Sequence, residues 1–266
     1  MEKKFQYQQA DIFYTVEGSG NTVVLIHGFG EDDKIWHDQT IFLKEHCQLI
    51  IPALPGSGKS GLLQKQPVTI EDYAECIKAL LDDEGVEKCI LLGHSMGGYI
   101  TLAFAQNYAE YLLGFGLVHS TAFADSEEKK AARLKGIKML EEYDAYSFIK
   151  NTTPNLFSTE FKKLQSEKVS ALIEEGKSFS KEALIQYYTA MMNRLDRTEV
   201  LKNAKVPVLF VIGSEDTAAP LADLLNQVHL PKVSHLHIIN GVGHISIMEA
   251  PEQLNNYLLE FIESLE

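Results

Sequence analysis

The chain is built from short stretches that are almost uninterruptedly apolar, separated by longer amphipathic ones. The apolar stretches lie at about residues 22–26, 48–51, 89–92, 115–118 and 206–212, with a weaker one at 236–239. Continuous apolarity over so few residues marks strands covered on both faces, as in a parallel sheet. Between them, helix-period patterns run at about 34–45, 70–84, 97–110, 219–228 and 251–265. Two β-type runs at 5–8 and 12–16 open the chain, and Glu17-Gly18-Ser19-Gly20-Asn21 supplies turn chemistry after them. Strands alternating with helices predict a doubly wound α/β sheet with an antiparallel start.

Residues 121–201 break that rhythm. They are charged, amphipathic and helix-like, with Pro154 and Gly176 as the main interruptions and no convincing strand. The expected organisation is therefore a core of residues 1–120 and 202–266, with 121–201 inserted as a helical cap, or lid. The 266 residues suffice for one sizeable core.

Composition narrows the partners. Twenty-four basic against thirty-seven acidic residues leave a formal charge of −13, which repels a phosphate backbone, so no nucleic-acid partner is expected. No apolar run is long enough to predict a membrane span, and no apolar segment follows Lys3 and Lys4, so a cytoplasmic location is expected. Cys47, Cys76 and Cys89 are odd in number and form no Cys-x-x-Cys pair. They read as buried small side chains rather than a disulfide framework or a thiolate metal site.

The strongest chemical signal is Gly93-His94-Ser95-Met96-Gly97, a Gly-x-Ser-x-Gly sequence with an apolar strand before it and a helical pattern after it. A sharp strand-to-helix turn brings backbones too close for Cβ atoms beside the serine, hence the glycines. The turn lifts the hydroxyl clear of the sheet and aims the first amides of the helix at a reacting carbonyl. Ser95 is thus the candidate nucleophile.

Ser95 in Gly-His-Ser-Met-Gly-Gly, with His27-Gly28-Phe29-Gly30 after an earlier strand, resembles the α/β-hydrolase superfamily over nearly the whole chain. The resemblance implies an α/β-hydrolase fold: a mostly parallel, twisted sheet of about eight strands with flanking helices and a helical lid. It further implies an oxyanion hole from the backbone N–H groups of Phe29 and Met96. His244, in Asn240-Gly241-Val242-Gly243-His244 after the last strand, occupies the position of the base. Asp216, in Gly213-Ser214-Glu215-Asp216 at a strand end, occupies that of the acid which fixes the base's tautomer. Asp125 and Glu215 are the alternative acids. His27 is expected to stabilise its loop, His94 to pack beside the nucleophile, and His119 to face the cavity. Phe29, His119, Phe148, Phe157, Tyr187 and Met191, together with Met192, are the candidate pocket residues.

Ala53-Leu54-Pro55-Gly56-Ser57-Gly58-Lys59-Ser60 imitates a phosphate-binding loop, but Ala53 stands at its first glycine and no helix follows directly. It is more similar to the superfamily's Asp-x-x-Gly-x-Gly-x-Ser loop, with Ala53 in place of the aspartate. The expected function is hydrolysis of small to medium carboxylic esters through an acyl-enzyme, with no cofactor and no metal. A carbon–carbon, thioester or lactone hydrolase, or a perhydrolase, would use the same residues. A ligand-sensing binding protein with a vestigial site is the alternative of another class. An aspartate nucleophile, as a haloalkane dehalogenase needs, is absent where Ser95 stands.

Overall fold

A computed structural model describes residues 1–265. Among them, eight strands form one sheet in the order β1-β2-β4-β3-β5-β6-β7-β8. These are β1 (Glu2–Tyr7), β2 (Ala10–Glu17), β3 (Thr22–Ile26), β4 (Gln48–Pro52), β5 (Cys89–His94), β6 (Leu112–Val118), β7 (Val208–Gly213) and β8 (Ser234–Ile239). β1 with β2 and β2 with β4 pair antiparallel, and every later pair is parallel. The mostly parallel α/β sheet with an antiparallel start anticipated from the apolar runs is found, and its eight strands are the number the superfamily resemblance implies. β3, β5 and β7 are buried along their whole length. Helices on both faces explain that, because each face of a central strand meets apolar cover.

On one face α2 (Ile70–Asp83) and α3 (Met96–Asn107) pack over Val24, Ile26, Leu91 and Phe115. On the other, α1 (His37–Leu43) and α12 (Pro251–Glu263) cover Val23, Leu25, Leu92 and Val211. α2 starts where Thr69 and Asp72 cap each other's backbone amides. The pattern at 34–45 is split: Asp33–Trp36 is a 3-10 turn capped by Asp32, and α1 begins only at His37. The pattern at 219–228 shrinks to α10 (Leu221–Leu225), and Gln227, beyond its end, is fully buried. Its Oε1 accepts from the Ala122 amide at 2.6 Å, and its Nε2 donates to Thr121 Oγ1 at 2.8 Å.

Between β6 and β7 the chain forms α4 (Glu127–Glu142), α5 (Ala145–Thr152), α6 (Thr159–Leu164), α7 (Ser166–Glu175), α8 (Lys181–Met192) and α9 (Thr198–Lys202). Pro154 and Gly176 each lie in a 3-10 turn between these helices. No helix is long and apolar enough to cross a membrane among the described residues.

Candidate active site

The strand β5 ends in a turn whose central residue, Ser95, has φ 51° and ψ −114°. A non-glycine residue held at positive φ costs of order 1–3 kcal/mol and persists only where its surroundings fix it. Here they do: the Ser95 amide donates to Val118 O at 2.9 Å, and its carbonyl accepts from Gly98 N at 2.9 Å and Ser120 Oγ at 2.7 Å. A Cβ on Gly97 would stand 2.3 Å from Ile26 O, so only glycine lets α3 leave the turn this close to β3.

Gly28 brings the loop after β3 against the same turn, since a Cβ there would lie 3.1 Å from Ser95 Cβ. The amides of Phe29 and Met96 have no hydrogen-bond acceptor among the described residues. His27 is fully buried and burial lowers its pKa, which keeps the ring neutral. Its Nδ1–H donates to Gly28 O at 2.8 Å, while Nε2 accepts from the Leu54 amide at 3.0 Å. The loop that lacks an aspartate at Ala53 is therefore anchored by His27. Ser60 adds a second tie, donating to Ala53 O at 2.7 Å and accepting from Phe13 N at 2.9 Å.

His244 and Asp216 meet directly: Nδ1 of the ring lies 2.8 Å from Oδ2 of the carboxylate. A carboxylate can only accept, so Nδ1 carries a proton, and in the neutral ring this tautomer leaves the lone pair on Nε2. Asp216 is saturated, with Oδ1 accepting from the amides of Ala218 (2.9 Å) and Ala219 (2.8 Å). Oδ2 accepts a second imidazole, His119 Nδ1, at 2.9 Å. Burial opposes a charge on Asp216, but the two rings outweigh it and hold the carboxyl far below the usual carboxylate range. Burial pushes His119 down to about 4, so that ring is neutral near pH 7. Its Nε2 is buried without a partner among the described residues.

The donor atoms of His119, Asp216 and His244 lie within 4.8 Å of one another, close enough for a metal site. Hydrogen bonding favours two imidazoles oriented by one carboxylate, because a metal would displace both Nδ1 protons and put one on the partnerless Nε2 of His119.

A second buried acid–imidazole pair lies beside the first. His94 Nε2 faces His244 O at 2.9 Å and its Nδ1 faces Glu31 Oε2 at 3.0 Å. Both nitrogens face acceptors, so the ring is an imidazolium. Burial works against that charge, and the Glu31 carboxylate overcomes it and raises the pKa. Glu31 Oε2 also accepts from the Gly28 amide at 2.7 Å, so this pair links the Phe29 loop, the Ser95 turn and the His244 loop.

Ser95 and His244 share the walls of one cavity of about 160 Å³ with Phe29, Glu31, Tyr99, Arg133, Leu156, Tyr188, Met191 and Ala218. Of the anticipated pocket residues, Phe29 and Met191 are there. His119 sits behind Asp216 rather than on the wall. Phe148 and Tyr187 are buried edge-on against Phe29, and the Tyr187 hydroxyl donates to Pro55 O at 2.9 Å. Phe157 stacks on Phe161 in the opposite core. Phe148 and Tyr187 thus support the Phe29 wall from outside, and neither Phe157 nor Met192 lines the cavity. Of the alternative acids, Glu215 is exposed and Asp125 is paired with Arg133 and Arg194, so neither meets His244. A larger groove of about 650 Å³, lined by Ala105, Gln106, Arg197 and Lys205 among others, contains none of these groups.

Glu31, Tyr99, Arg133 and Tyr188 were not singled out by their sequence context. Glu31 had one available signal, its place directly after the His27–Gly30 turn. Arg133 had none, because it sits in a helix as charged as any surface helix. Gly136, one turn further on, lets α4 close on α8: a Cβ there would lie 2.4 Å from Tyr188 Cε2.

Residues 21–251 match the family model for the alpha/beta hydrolase fold. The chain belongs to the α/β-hydrolase family. It is 26% identical over 262 residues to a 2-hydroxy-6-oxononadienedioate/2-hydroxy-6-oxononatrienedioate hydrolase of Paraburkholderia phymatum, covering 94% of this chain and 90% of that one. Among solved structures, this α/β hydrolase superposes with a TM-score of 0.93 on a thermophilic esterase from Thermogutta terrifontis with malate bound. That pair is 25% identical, covering 100% of this chain and 99% of that one. An enol-lactonase from Burkholderia xenovorans LB400 has the same fold, with a TM-score of 0.90, 20% identity, and coverage of 98% and 100%.

Proposed function

We propose that this α/β hydrolase is a serine esterase of small to medium carboxylic esters, working through an acyl-enzyme. The observation that carries the reading is the His244–Asp216 hydrogen bond of 2.8 Å on a ring that shares one small cavity with Ser95, itself on a strained turn. His244 Nε2, bearing the lone pair, takes the Ser95 proton as Oγ attacks the ester carbonyl. The amides of Phe29 and Met96 receive the developing oxyanion, and the positive end of α3 adds to their field. His244 returns the proton to the leaving alcohol, and water repeats the sequence on the acyl group. Asp216, held ionised by its neighbours, stabilises the imidazolium in both halves.

In this reading residues 121–201 act as the cap, since Arg133, Leu156, Tyr188 and Met191 all reach the cavity from that segment. The volume of about 160 Å³ lies below the roughly 300–1000 Å³ of pockets for drug-sized ligands, which supports a short acyl chain. A panel of p-nitrophenyl esters of increasing chain length tests this. Activity should peak at short acyl chains; no hydrolysis of any ester by folded protein would defeat the reading.

A further inference from the structure

We infer that the substrate carries a carboxylate on its acyl part and that Arg133 receives it. This rests on the acyl-transfer reading of the same cavity and adds the chemical class of what enters it. Arg133 lines the cavity together with Ser95 and His244. Its Nε donates to Asp125 Oδ2, and its Nη2 makes a long contact of 3.4 Å with Asp125 Oδ1. Nη1 has no protein acceptor among the described residues. The guanidinium lies 5.5 Å from the ring centre of Tyr188, which is stacked on Phe29.

Asp125 does not neutralise this charge alone. The same carboxylate is bound by Arg194 Nη1 at 2.5 Å. Arg194 is fully engaged in the interior: it also donates to Phe123 O and Met191 O and lies 4.0 Å over the Tyr99 ring. Two guanidiniums on one carboxylate leave one positive charge in excess. Arg194 has a side-chain exposure of 2% and Arg133 of 18%, so the surplus is the one that meets the cavity. The other charged wall residue, Glu31, is already committed to the His94 imidazolium and the Gly28 amide. A partly buried cation with a free N–H on a wall built largely of aromatic and aliphatic side chains is a receptor for an anion. The small volume places that anion only a few bonds from the carbonyl Ser95 would attack.

The test compares monomethyl glutarate with methyl pentanoate, an uncharged ester of the same chain length, followed by NMR or pH-stat. One well-formed hydrogen bond to a charged group discriminates by about 10- to 100-fold. Wild type should favour monomethyl glutarate by that factor in kcat/KM. Arg133→Gln should abolish the preference, and Arg133→Lys should keep part of it. Because Arg133 also touches Asp125, melting curves accompany both variants. A measurement on wild type alone guards against misfolding: glutarate should compete with methyl pentanoate, and pentane-1,5-diol should not. Equal rates on the two esters, a preference that survives in folded Arg133→Gln, or equal inhibition by acid and diol would overturn the proposal while leaving the esterase reading intact. Failure to hydrolyse either ester, with no reaction toward a fluorophosphonate, would remove the esterase reading and this inference with it.

Discussion

Replacing Asp216 with Asn keeps the volume of the side chain and removes its charge and one acceptor. Oδ1 now accepts from the Ala218 and Ala219 amides, and Oδ2 from His119 and His244. An asparagine that keeps its carbonyl oxygen on the two amides must turn its NH2 group toward the imidazoles. Each ring then presents a lone pair at Nδ1 and moves its proton to Nε2. With that tautomer His244 cannot accept a proton from Ser95. Turnover should fall roughly ten-thousand-fold, about 5.4 kcal/mol at about 1.36 kcal/mol per decade. Folding should suffer far less. All four hydrogen bonds to the carboxylate lose their charge assistance, at about 0.5 kcal/mol each, so Tm should drop by roughly 4–8 °C. Hydrolysis of a short p-nitrophenyl ester and a thermal melt monitored by circular dichroism read both quantities. A rate within tenfold of wild type would refute the tautomer argument.

Asp125→Asn should destabilise the fold by about 3–5 kcal/mol, because Arg194 would be left buried beside Arg133 without a counter-charge; urea unfolding measures it. An unchanged midpoint would contradict that arrangement. Stability should also depend on pH through His119, whose pKa is lowered from 6.5 to about 4 by burial. Between those values the unfolded chain binds the extra proton and the folded one does not, so stability falls as pH drops from 6.5 toward 4, by roughly 3 kcal/mol from this group. His119→Gln should flatten that part of the stability curve, and an identical slope in wild type and variant would count against a neutral His119.

The central strands were legible because burial on both faces selects continuous apolar runs, as at 23–26 and 89–92, too short for helices and bounded by turn residues. β8 was faint for the converse reason: it lies at the sheet edge, and Ser234, Leu236 and Ile238 are more exposed than an interior strand allows. Ser95 was legible through the two glycines its turn demands. His244 and Asp216 were placed by the superfamily resemblance, which puts the base and its acid after the last two strands, and the two side chains do meet. The cavity wall was not legible. Phe148 and Tyr187 are apolar positions on helices, and a helix buries its apolar stripe against a core or a cavity with the same sequence, while Phe157 is an extended residue between a 3-10 turn and the next helix. The role of Arg133 depends on Gly136 and Tyr188 bringing two helices together, and on Arg194 sharing its carboxylate. Neither relation has a signature along the chain.

The account depends on a hydroxyl made reactive by the His244–Asp216 pair, and covalent capture tests that most directly. Incubation with a fluorophosphonate followed by intact-mass and peptide spectrometry should show one adduct per chain, located on Ser95, and none on folded Ser95→Ala. Wild-type protein that stays unmodified while folded, or an adduct of equal stoichiometry on Ser95→Ala, would contradict it.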